Sequence, residues 1–159
     1  MTIKVGDKIP NAELMMMTEK GPTKVSTSDL FGGKKVALFA VPGAYTPTCS
    51  AKHLPSFIDN SSKLAEKGVN EIVCLSVNDP FVMAAWGKEH NAGNIKMVAD
   101  SDASFTKALG VEFDASGAGL GIRSRRYSML VDDGVVKQLN LEETGGYEVS
   151  DAGTLLGQL

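Results

Sequence analysis

Val36-Ala-Leu-Phe-Ala-Val-Pro-Gly-Ala-Tyr-Thr-Pro-Thr-Cys-Ser50 is the stretch on which the reading of the whole chain turns. From Lys35 to Val41 the run is almost continuously apolar, the pattern of a central strand covered on both faces. Pro42 ends that run, Gly43 turns the chain, and Cys49 arrives at a predicted helix start. Thr46 reads as the N-cap and Pro47 as the first helical residue, where a missing N–H costs nothing. A cysteine in the first turn meets unpaired N–H groups and the positive end of the macrodipole, a setting that favours the nucleophilic thiolate. The stretch thus predicts a strand, a turn and a helix that together present a reactive thiol.

Outward from this unit the elements alternate. Toward the N-terminus, Glu13-Leu-Met-Met-Met17 predicts a short strand, Lys20-Gly-Pro22 a turn, and Lys24-Val25 a second strand. The three methionines read as core filler rather than a ligand groove. Ser28-Asp-Leu-Phe31 predicts a helical turn stopped by Gly32-Gly33. Toward the C-terminus, Pro47 to about Lys67 is helical, with Leu54, Phe57, Ile58, Leu64 and Ala65 on one face, a kink expected at Pro55 and a stop at Gly68. Glu71-Ile-Val-Cys-Leu-Ser-Val77 is a second buried strand, and Asp79-Pro80 opens a helix that runs to about His90.

Ile95 to Ala99 is a third strand, and Ser101 to Leu109 a short helix closed by Gly110. Residues 110–124 contain a glycine-rich loop, Gly117-Ala-Gly-Leu-Gly121, which neither follows a clear strand nor opens a clear helix and so makes a poor dinucleotide site. Asp132-Asp-Gly134 between Tyr127-Ser-Met-Leu-Val131 and Val135-Val-Lys-Gln-Leu139 is a hairpin signal, and Ser150 is the expected cap of a final helix. The order predicts a single α/β domain over residues 1–159, with a mixed sheet flanked by helices. A thioredoxin-like layout fits it better than a doubly wound one.

Composition narrows the function. With 43% hydrophobic residues among 159, the chain can bury a core of its own. A net charge of −3 and no basic cluster longer than Arg123-Ser-Arg-Arg126 argue against nucleic acid and anionic membranes as partners. No apolar run approaches the roughly 20 residues of a membrane span, and the residues after Met1 lack a signal-peptide core, so the expected location is the cytoplasm. Cys49 and Cys74 form no C-x-x-C pair, and with His53 and His90 they make no zinc spacing. Thiol chemistry in a reducing compartment is what this cysteine usage leaves.

A thiolate at Cys49 needs a cation, hydrogen-bond donors and a stiff surround. Pro42 can shield the pocket, the Thr46 hydroxyl can face the sulfur, and Arg126 offers a permanent positive charge. Pro42-Gly-Ala-Tyr-Thr46-Pro-Thr-Cys49 resembles the P-x-x-x-T-x-x-C motif of peroxiredoxins, in the form of the type II, peroxiredoxin-5-like branch. The resemblance extends over nearly the whole chain, through Val5-Gly-Asp-Lys-Ile-Pro10, His53-Leu-Pro55, Cys74-Leu-Ser-Val-Asn-Asp79, Trp86-Gly87 and Arg126-Tyr-Ser-Met129.

That resemblance implies a thioredoxin fold and reduction of hydrogen peroxide and alkyl hydroperoxides, with no metal or organic cofactor. Cys49 would attack the peroxide and become a sulfenic acid. Arg126 would stabilise the thiolate and polarise the peroxide, and Thr46 would orient it with the backbone N–H groups of Thr48 and Cys49. A homodimer packed through Ala44-Tyr45 and the helix after Pro80 is also implied. One departure matters: Gly146-Tyr-Glu-Val-Ser150 lacks the resolving cysteine that some relatives carry there. Cys74, mid-strand between Val73 and Leu75, reads as a buried and unreactive thiol. The implied reductant is therefore external, glutathione with glutaredoxin ahead of thioredoxin. Rival readings are a peroxide sensor that signals through Cys49 oxidation, and a cysteine hydrolase using His53. The second is disfavoured because His53 lies one turn along the same helix as Cys49, and no third orienting group is evident.

Overall fold

The computed structural model describes residues 2–159. Its elements run β1 (Glu13–Thr18), β2 (Gly21–Ser26), α1 (Thr27–Phe31) and β3 (Lys35–Val41), then a π-helical turn (Cys49–His53), α2 (Leu54–Asp59) and α3 (Ser61–Glu66). They continue with β4 (Glu71–Ser76), α4 (Pro80–Glu89), β5 (Lys96–Ala99), α5 (Ser104–Leu109), β6 (Glu112–Asp114), β7 (Ile122–Ser124), β8 (Tyr127–Asp132), β9 (Val135–Leu141) and α6 (Ala152–Gly157). Seven strands form one sheet in the order β2-β1-β5-β4-β3-β8-β9. The pairs β3–β4 and β4–β5, joined by helical crossovers, are parallel, and the other neighbours are antiparallel.

The apolar run of β3 is explained by its place at the centre of this sheet. Ala37, Phe39 and Val41 point into a layer with Leu54, Phe57, Leu64, Met83, Trp86 and Leu155. Val36, Leu38 and Ala40 point the other way, into a layer with Leu14, Phe31, Phe105, Leu109 and Met129. Helices α2, α3, α4 and α6 thus cover one face and α1 and α5 the other, so neither side of β3 can carry a polar residue cheaply. The hairpin between β8 and β9 turns through Asp133 and Gly134, both at positive φ, as a tight two-residue turn requires.

Four expectations are corrected. The helix after Cys49 does not merely kink at Pro55: it widens before it, where the Leu54 N–H reaches back to the Cys49 carbonyl. Pro55 has no N–H to give to the preceding turn, and the π turn absorbs that loss. The helix then breaks at Asn60, whose φ of −107° and ψ of 8° rotate α3, so Leu64 remains buried while Ala65 faces outward. The expected element order lacks two strands: the glycine-rich loop within residues 110–124 is the tip of the two-stranded ribbon β6–β7. The last helix is capped by Asp151, which accepts from the Thr154 N–H, because the Ser150 N–H and hydroxyl are both committed to Glu142.

Candidate active site

β3 delivers the chain to Pro42 at its C-terminal end, and the following turn is pinned from the neighbouring strand's exit. The Ala44 N–H donates to Asn78 Oδ1 at 3.0 Å, and the same oxygen accepts from the Ser76 hydroxyl at 2.6 Å. Tyr45 sits at φ +67°, a conformation that a residue with a Cβ adopts only under constraint. From there the chain enters the turn that carries Cys49, where the Ser50 N–H already donates to the Thr46 carbonyl at 3.0 Å.

Thr46 is not the side-chain cap expected of it. Its Oγ1 lies 2.7 Å from the Gly43 carbonyl and 2.8 Å from Cys49 Sγ. A hydroxyl has one proton: it donates to Gly43 while accepting from a thiol, or turns to donate to a thiolate. The geometry serves both states of the sulfur without moving a heavy atom.

Arg126, just before β8, reaches the same sulfur from a segment 77 residues away in sequence. Its NH2 is 3.1 Å from Sγ, and the residue is only 8% exposed. Its NH1 donates to His53 Nδ1 at 2.9 Å. His53 Nε2 is 2.9 Å from the Ser150 carbonyl, which can only accept, so the ring is neutral with its proton on Nε2 and Nδ1 free to accept from Arg126. Burial, and then the adjacent Arg126 charge, push the His53 pKa down to about 3. The Tyr147 ring covers the guanidinium, with Cζ 5.7 Å from its centroid.

A carboxylate holds this back wall in place. Glu142 is 3% exposed, and its Oε2 accepts from the N–H groups of Glu148, Val149 and Ser150, each at 2.8 Å, and from the Ser150 hydroxyl at 2.7 Å. Burial alone would raise the Glu142 carboxyl, but these four donors outweigh it and hold the group below its ordinary value. The chain of contacts therefore runs from Glu142 through Ser150 and His53 to Arg126 and the sulfur. Yet no acidic side chain pairs with Arg126: among the described residues the ion pairs are Lys24–Glu13, Lys34–Glu71 and Lys96–Glu71. A buried guanidinium without a carboxylate is unfavourable unless an anion meets it, and Sγ is the group in reach that can become one.

Of the residues expected from sequence, Cys49, Thr46 and Arg126 converge within hydrogen-bond distance, and Thr48 adjoins Cys49 at the turn's start. Pro42 presents its carbonyl to Arg123 NH1 at 3.1 Å. Cys74 is on β4, fully buried, and burial pushes its thiol well up. Sequence reasoning missed Glu142, the structural part of His53, and Arg123. The signal for His53 was its four-residue spacing from Cys49. Glu142 left none, because its work is done through backbone N–H groups that no residue pattern announces. The Trp86 indole N–H donates to the Ser50 hydroxyl at 3.0 Å, so this buried ring is tied to the turn that carries the thiol.

Comparison with known proteins places this arrangement. The Redoxin family profile matches residues 4–156. The chain is 51% identical over 164 residues to the chloroplastic Peroxiredoxin-2E-2 of Oryza sativa, covering 99% of this chain and 73% of that one. It is 47% identical to Peroxiredoxin-2B of Arabidopsis thaliana, over 99% of this chain and 98% of the relative. Among solved structures, reduced Prx3 of Vibrio vulnificus in complex with hydrogen peroxide superposes with a TM-score of 0.96 at 52% identity, covering 99% of each chain.

Proposed function

Because the chain belongs to the redoxin family and, within it, to the type II peroxiredoxins, thiol peroxidases of thioredoxin-like fold, we propose that Cys49 reduces hydrogen peroxide and alkyl hydroperoxides and is regenerated by a thiol from outside the chain. The observation that carries the assignment is the buried guanidinium of Arg126, 3.1 Å from Sγ and without a carboxylate partner among the described residues.

In the oxidative step the Cys49 thiolate attacks the terminal peroxide oxygen. The S–O bond forms as the O–O bond breaks, and the departing oxygen takes a proton and leaves as water or alcohol. Arg126 stabilises the thiolate and then the charge that develops on the peroxide, and the Thr46 hydroxyl orients the oxygen being attacked. The N–H groups of Thr48 and Cys49, at the start of the turn, complete the peroxide's hydrogen bonds. Pro42 closes the turn against water. In the reductive step a thiol attacks the sulfenic sulfur and expels water, giving a mixed disulfide. A second thiol then releases Cys49 and carries away the disulfide.

An external reductant is supported by the absence of cysteine from residues 146–150 and by the depth of Cys74. Glutathione with glutaredoxin is the proposed source, ahead of thioredoxin. A cytoplasmic location is part of the same reading, and among the described residues no helix is long and apolar enough to cross a membrane. The family match over residues 4–156 supports one domain across residues 1–159. Tyr45 at 49% exposure and Phe81 at 63% leave apolar surface beside the site, which supports a homodimer formed there.

The test is hydrogen-peroxide turnover by wild type, Cys49→Ser and Cys74→Ser, with the glutathione–glutaredoxin and thioredoxin systems in parallel. Turnover abolished only in Cys49→Ser and sustained by glutathione and glutaredoxin is the expected result. Rapid oxidation of Cys49 with no turnover in either system would point instead to a peroxide sensor.

A further inference from the structure

Arg123 lies against the Pro42–Gly43 segment that leads to Cys49, and its surroundings are incomplete. Its Nε–H donates to the Leu120 carbonyl at 2.8 Å and its NH1 to the Pro42 carbonyl at 3.1 Å. NH1 also lies 2.8 Å from the position a Cβ on Gly43 would occupy, and Thr46 Cγ2 lies 3.1 Å from that same point. Only glycine lets the guanidinium settle this closely against the turn. The side chain is half-buried, and among the described residues no acidic group pairs with it and its NH2 has no hydrogen-bond partner. Partial burial draws the Arg123 pKa below its ordinary value, and the charge of Cys49 acts in the opposite sense, as expected of a cation close to the sulfur.

Two carbonyls fix the direction of this guanidinium but leave its charge uncancelled and one of its donor edges open. The group that matches such an edge is a planar anion. We propose that Arg123 anchors a carboxylate on the reactant that meets Cys49, either a small acidic thiol reductant or a hydroperoxide bearing an acid group. The thiol half of this inference rests on the external-thiol reading above. Arg123 then separates two tasks that one arginine could not perform together: Arg126 faces the reacting atoms, and Arg123 holds the remainder of the molecule.

Paired reactants that differ in the carboxylate alone, or nearly so, test this. Reduced enzyme is mixed with a fatty-acid hydroperoxide or its methyl ester. The sulfenic acid form is mixed with 3-mercaptopropionate or 2-mercaptoethanol. Rates are read by stopped-flow fluorescence of Trp86 and by mass spectrometry of quenched samples, for wild type, Arg123→Gln and Arg123→Lys. The expected result is a fall of about tenfold in the acid-to-neutral rate ratio of Arg123→Gln in at least one arm, with partial recovery in Arg123→Lys. The arm that responds identifies which reactant carries the carboxylate. Ratios equal to wild type in both arms, even with every rate lowered together, overturn the anchor and leave Arg123 as a brace of the turn. A sulfenic acid that neither small thiol reduces sinks the thiol half along with the external-thiol reading, and the peroxide arm then decides the anchor alone.

Discussion

Cys49 and Cys74 lie in the same apolar layer, on the same side of the sheet, and neither has exposed surface. Burial should disfavour the thiolate at both, and at Cys74 it does: burial comes first in raising its thiol, the charge at Cys49 adds to it, and Arg126 offsets only part. What separates them is the set of polar groups that the fold aims at each sulfur. Cys49 has the Thr46 hydroxyl at 2.8 Å and the Arg126 guanidinium at 3.1 Å. Cys74, paired with Phe39 and Met97 across the ladders of β4, faces apolar neighbours. Depth in the protein therefore does not decide whether a cysteine is inert. The donors that share its depth do.

The sharpest way to break this contrast is to remove the guanidinium. Arg126→Ala should lower kcat/KM for hydrogen peroxide by about a hundredfold or more, as loss of a preorganised donor does elsewhere. The iodoacetamide alkylation profile of Cys49 should also move to higher pH, with circular dichroism unchanged. An unaltered profile would mean that the turn and its backbone dipoles, rather than Arg126, distinguish the two thiols.

A smaller effect comes from the group behind the arginine. His53 faces Arg126 on one side and the Ser150 carbonyl on the other, with Glu142 and Asp151 near enough to favour its charged form weakly. Its pKa is about 3 in the fold against 6.5 when free. Between those values the unfolded chain binds one more proton than the native state, so stability falls as pH drops through that window. The slope approaches a factor of about ten in the folding constant per pH unit. His53→Gln, which cannot take up that proton, should flatten the fall in urea midpoint between pH 7 and pH 5. It should also cost about five- to tenfold in peroxide reactivity, by loosening Arg126 rather than by removing it. A variant with the same acid sensitivity as wild type would show that His53 charges freely in the fold.

Much of this was legible in the chain itself, for reasons that can be named. The central strand was visible because both of its faces are buried and its apolar run is unbroken. The thiol was visible because Pro42, Thr46 and Cys49 crowd into one short turn, and Arg126 through its resemblance to a known motif. Strands β6 and β7 were invisible: three residues each, largely exposed and beside a glycine-rich tip, they carry no periodicity to read. The Pro55 kink was expected in the right helix but in the wrong form, since sequence shows the missing N–H and not how the backbone compensates. Ser150 looked like a cap by residue type, and only the position of Glu142 reveals that its donors are taken. Arrangements that depend on long-range partners leave little mark on local pattern.

The smallest activity change should come from Cys74, where substitutions test the comparison through stability. Cys74→Ala removes one buried sulfur from an apolar layer and should lower stability by on the order of 1 kcal/mol, moving Tm by about 2–4 °C, with peroxidase activity within about twofold of wild type. Cys74→Ser is closer in shape, yet it buries a hydroxyl among Phe39, Met97 and the other side chains of that layer, where desolvation should cost a further 1–3 kcal/mol or so. At Cys49 the same exchange has the opposite character. A serine hydroxyl there cannot supply the anion, but it keeps hydrogen bonds to Thr46 and Arg126, so Cys49→Ser should lose less stability than Cys74→Ser while its turnover disappears. Thermal melts of the two serine variants, set beside their activities, should therefore cross: the active one unstable, the stable one inactive. If both melt alike, the two sulfurs do not occupy the different polar environments on which the proposed chemistry of Cys49 depends.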